Sequence, residues 1–199
     1  MNKEELVQIA NTPASVQNMY GDGGVQITNT DGGHIQLFFI NSGSNVRLDA
    51  FRFNTEFYNL FVINDKIDAH GTFTIPIKDC LLHTAPDAYP EGKITIALLE
   101  RILTYPSLIA TPNAQHLTAY PTQCATICKV HRYEILDDAI KFRYLVSKEF
   151  QQQPLNEIAT TLGILASEQS NELDHCHWEI KHVNLLEILK LEDEYEGKK

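Results

Sequence analysis

From Ile140 onward the chain alternates, with Ile140, Phe142, Tyr144 and Val146 interleaved by Lys141, Arg143 and Leu145. A period of two is the pattern of a strand buried on one face. Upstream, residues 125–136 are rich in β-branched and aromatic side chains, and Asp137-Asp138-Ala139 supplies a short polar break. Residues 124–148 therefore read as an antiparallel hairpin around which the fold is built. In its first strand Cys128 and Val130 share one parity while Tyr133 and Ile135 share the other. A β-bulge near His131 and Arg132 reconciles the two.

The same reading extends along the chain. Asn2, Glu5 and the apolar residues after them predict a short capped helix that Pro13 ends. Glycine clusters at 21–24 and 31–33 predict turns flanking strands at Val25–Thr28 and His34–Ile40. No Lys-Ser or Lys-Thr follows either cluster, so neither is a phosphate-binding loop. Residues 35–40 are apolar on both parities, as in a strand covered on both sides. Three further strand-like runs are 46–53, 57–63 and 72–77, and because six of the nine phenylalanines fall between Phe38 and Phe61, this half is expected to supply much of the core. Residues 78–92 read as an irregular connection. Thr95 opens a helix through Ile96, Leu98, Leu99 and Ile102 that must stop before Pro106, and the three prolines in 106–121 predict a long loop. Pro154 opens another helix, 172–181 returns to alternation, and Asn184 with Glu187 caps a last helix. The expected fold is α+β: a mainly antiparallel sheet or partly closed barrel with three or four peripheral helices, in one domain over 1–199.

Composition narrows the function classes. With 199 residues, 43% of them apolar, the chain can bury a substantial core. No apolar run approaches the ~18 residues of a membrane span, and Glu4 and Glu5 stand where a secretory signal would be basic, so a cytoplasmic protein is expected. Four scattered cysteines fit reduced thiols better than a disulfide framework. The formal charge of −10 argues against duplex nucleic acid and anionic membranes and favours a basic protein partner. The hairpin is the local exception: Lys129, Arg132, Lys141, Arg143 and Lys148 outnumber Glu134, Asp137 and Asp138. Lys129, His131, Lys141 and Arg143 are therefore candidate contacts for a small phosphorylated ligand.

Two triplets, His70-Gly71-Thr72 and His116-Leu117-Thr118, share one form. At these six residues the chain resembles the two-histidine phosphodiesterases, in which paired His-x-Thr or His-x-Ser strands set two imidazoles across a scissile phosphate. The resemblance implies that His70 and His116 act as base and acid and that Thr72 and Thr118 bind phosphate oxygens. On a strand, His175, His177 and Glu179 would point one way and could chelate zinc, but nothing nominates the remaining ligands, and no cofactor or metal is expected. The leading expectation is a cytosolic, non-catalytic binding or inhibitory protein. The alternative is a small two-histidine phosphodiesterase or nucleotide-binding protein.

Overall fold

The computed structural model describes residues 24–28, 34–40, 47–67, 70–90, 92–167 and 170–191. The helix expected after Asn2 lies outside them, as do the side chains of 35–40. The predicted hairpin forms as β6 (Cys124–Ile135) and β7 (Ala139–Gln151). Its register slips between Val130 and Arg132, leaving His131 as the extra residue at the expected bulge. A second slip, between Ile127 and Cys128, leaves Ser147 as the extra residue on β7.

β7 organises the sheet. One edge pairs with β6 along its length; the other pairs first with β4 (His70–Pro76) and then, at Glu149 and Phe150, with the end of β2 (His34–Ile40). β2 forms the expected antiparallel hairpin with β1 (Gly24–Thr28). Beyond β6 follow β5 (Ser107–Ala110), β3 (Tyr58–Val62) and the edge strand β10 (His177–Lys181). Among the described strand pairs only β3 and β5 run parallel. The six strands β4, β7, β6, β5, β3 and β10 curl into a half-barrel, mixed but mostly antiparallel, and short helices make the fold α+β. Two short strands, β8 (Leu165–Ser167) and β9 (Ser170–Asn171), pair apart from it.

The alternation dictates two cores. Ile140, Phe142, Tyr144 and Val146 point into the concave side with Phe61, Phe73 and Trp178, and the helix α1 (Ile96–Ile102) contributes Leu98, Leu99 and Ile102 to the same cluster. Thr95 caps α1 by accepting from the Leu98 N–H at 3.1 Å. The opposite face carries Leu60, Leu108, Ile127 and Phe150 under residues from α2 (Gln153–Glu157), the turns after it, and α3 (Leu185–Ile188). Asn184 caps α3 as expected. That second cover ends part-way along the hairpin. Past Lys129 the outer face of β6, β7 and β4 lies open, with Thr72, Thr74, Arg132, Glu134 and Arg143 exposed.

Two expectations need correction. Residues 46–53 hold no strand where described, but a 3-10 turn at Leu48–Ala50. Both edges of β3 are already taken by β5 and β10, so this segment has no ladder to join. The loop predicted over 106–121 contains β5, four fully buried residues held by parallel pairing to β3. Of the phenylalanines of 38–61, Phe61 is fully buried and Phe51, Phe53 and Phe57 are half-buried, while the side chains of Phe38 and Phe39 lie outside the described residues; Phe73, Phe142 and Phe150 from later in the chain are buried as well.

Candidate functional site

Along the open outer face the register sets side chains in rows. Arg132 lies opposite Arg143, which lies opposite Thr72; Glu134 lies opposite Lys141, which lies opposite Thr74. Arg132, Tyr133, Glu134, Lys141 and Arg143 line a groove of about 200 Å³. Glu134 balances Lys141, a favourable cross-strand pair. Two guanidiniums directly opposite one another are unfavourable, because like charges in that position repel. Among the described residues neither the Arg132 nor the Arg143 side chain has an ion-pair or hydrogen-bond partner. An anion held between the two planar forks would remove the repulsion and occupy their donors.

Lys129 and His131, also expected here, are placed differently. The Lys129 ammonium donates to the Leu103 carbonyl and sits 5.1 Å from the centre of the Phe53 ring, and partial burial lowers its pKa. It closes the covered end of the face. His131 is the exposed bulge residue. Arg132, in the row beside Arg143, was not among the expected contacts; the bulge that brings it there was the available signal.

The two triplets occupy different neighbourhoods. His70 and Thr72 are on β4, their backbones opposite Leu145 and Arg143. His116 and Thr118 are in the loop between β5 and β6, where Gln115 and Thr118 bridge a tight turn and Leu117 takes φ +56°. His116 Nδ1 is 2.7 Å from Asp174 Oδ2, and Asn113 donates to Asp174 Oδ1 at 2.8 Å. The Thr118 hydroxyl donates to the His116 carbonyl at 3.3 Å. Beneath the turn a buried amide network holds the loop: Gln152 donates to Asn113 and to the Thr111 carbonyl, Asn156 and Asn113 exchange bonds, and Asn171 donates to Asn156. The structure thus brings Thr72 to Arg143 and Lys141, and gives His116 a carboxylate partner, Asp174, that the spacing did not reveal.

The expected row of His175, His177 and Glu179 is resolved into separate roles. His177 and Lys181 approach the buried Glu172, at 3.4 and 2.5 Å. Glu179 instead accepts from the His83 N–H and the Thr84 hydroxyl on the neighbouring connection. Burial pushes the Glu172 carboxyl up, but His177 and Lys181 outweigh it and hold its pKa below the ordinary value. Among the described residues no group of three or more His, Cys, Asp or Glu side chains is arranged to hold a metal ion, and no helix is long and apolar enough to cross a membrane.

No family model, curated protein or solved structure matches this chain. The reading of its function therefore rests on the site itself.

Proposed function

We propose that the protein is a non-catalytic binding protein whose open sheet face recognises an anionic group through Arg132, Lys141 and Arg143. The observation that carries this reading is the pair Arg132 and Arg143, opposite each other in the register of β6 and β7 and lining one groove, with no side-chain partner among the described residues. Folding gains nothing from that arrangement, whereas binding a phosphate or carboxylate does. Thr72 and Thr74 extend the row with hydroxyls able to donate to the same anion. A small phosphorylated ligand fits this chemistry. The negative charge of the whole chain still favours a basic protein on its remaining surface.

The phosphodiesterase reading draws less support. His116 Nδ1 is engaged by Asp174 and the Thr118 hydroxyl by a carbonyl of its own turn, while the strand bearing His70 pairs with the middle of β7. Calorimetric titration with inorganic pyrophosphate at low ionic strength tests the proposal. Saturable binding that weakens as salt rises, and that the double variant R132Q/R143Q abolishes, is the expected result. Equal affinity in wild type and double variant would contradict it.

A further inference from the structure

β4 pairs with β7 on one side only; among the described residues nothing pairs with its other edge. The register shows which of its peptide groups are left over. The Ile77 N–H donates to the Asp138 carbonyl at 2.8 Å, and those two residues extend by one step the register that ends with Pro76 opposite Ala139. Antiparallel pairs alternate between bonded and non-bonded. Gly71, Phe73 and Ile75 therefore direct their peptide groups toward β7, and Thr72 and Thr74 direct theirs away from it. Pro76 falls in the outward set, where a missing N–H leaves the ladder to β7 intact.

Edges are ordinarily blunted by charge, by bulges or by shortness. β4 is seven residues long, His-Gly-Thr-Phe-Thr-Ile-Pro, with no Lys, Arg, Asp or Glu and no slip in its register. Only Pro76 guards its end. Behind this bare edge stand Arg143 and Lys141, opposite Thr72 and Thr74.

We propose that the free edge of β4 receives an extended acidic segment of a partner protein as an added strand, with alternate carboxylates of that segment reaching Arg143 and Lys141. The inference rests on the anion-binding reading of this face and names what carries the anion. Neighbouring strands are about 4.8 Å apart, so an added residue opposite Thr72 lies roughly two spacings from Arg143, a gap that a glutamate and an arginine extended toward each other close. Backbone bonds to Thr72 and Thr74 supply affinity, and the cationic row selects acidic side chains at every second position. The charge of −10 on the whole chain repels such a segment elsewhere and leaves this edge as its landing place.

A synthetic peptide of alternating glutamate and valine, about six residues long, serves as the probe. In NMR titrations at low salt, the amides of Thr72 and Thr74 are expected to shift, gain protection from exchange and show contacts to peptide amides. Thr72→Pro and Thr74→Pro each remove one outward N–H without touching the ladder to β7, and each should weaken binding about tenfold or more. Equal binding to wild type and both proline variants, with the Arg143 side chain still shifting, would overturn strand addition while leaving the anion site standing. Binding of pyrophosphate but not of the peptide would overturn it in the same way. Failure of both probes would sink the anion reading as well. Dimerisation of the protein through β4, abolished by Thr72→Pro, would show that a second copy takes the edge and would overturn the acidic partner.

Discussion

Arg132 and Arg143 set stability against function at a single cross-strand pair. Replacing one with an acid turns repulsion into attraction, so R132E should raise stability by a few tenths to about 1 kcal/mol while destroying anion binding. Thermal melts and pyrophosphate titrations of that variant check both halves, and a destabilised R132E would contradict the description of the pair. Gly71 shows a different constraint: a Cβ added there would lie 2.3 Å from the Tyr144 hydroxyl oxygen and 2.5 Å from its ring. Tyr144 is buried and cannot swing away freely. Gly71→Ala should cost about 1–3 kcal/mol in denaturant unfolding. A neutral result would mean that the ring has room to move. In the sequence this glycine is the middle residue of the first His-x-Thr triplet; its role in packing emerges only once β4 lies beside β7.

At the scale of elements, the hairpin was legible because its information is local. Strict alternation over 140–146 marked the concave face, and the parity switch between Val130 and Tyr133 marked the bulge. β5 was not legible. Its four residues follow Pro106 and form a strand because they lie between β3 and β6, which are distant in the chain, and because Asn59 donates to the Ser107 hydroxyl and the Ile102 carbonyl beside them. The strands meet in an aromatic cluster in which the Phe142 ring lies 5.1 to 5.4 Å from Phe61, Phe73 and Trp178. Phe142→Ala is expected to cost about 3–5 kcal/mol, measured by chemical denaturation. Glu172 ties β10 to the 3-10 turn before it (Glu172–Asp174). Its folded pKa lies below its unfolded value, so the stability it contributes is present above the ordinary carboxylate range and is lost as pH falls through the folded value. Acid unfolding curves should accordingly be shallower in that window for Glu172→Gln. An unchanged acid limb would remove Glu172 from the account.

Across the whole molecule, polarity is distributed unevenly. The concave side is filled, the helix-covered end of the outer face is filled, and the far end of the same face is wet and cationic in a chain of net charge −10. The sequence carried that local surplus of positive charge but not its assembly. Lys129 counted as one of the cations, yet its tip is turned under Phe53, while Arg132 gained its place from the bulge. The His116 and Asp174 pair was invisible for the same reason, since a loop and a turn far apart in the chain meet only over the amide network. Anion binding at the paired arginines is read out by the side-chain Nε–H resonances of Arg132 and Arg143 during a pyrophosphate titration. Both resonances are expected to move together and saturate while the ring of His116 stays still; saturating shifts at His116 with both arginines unmoved would show that the anion is held elsewhere.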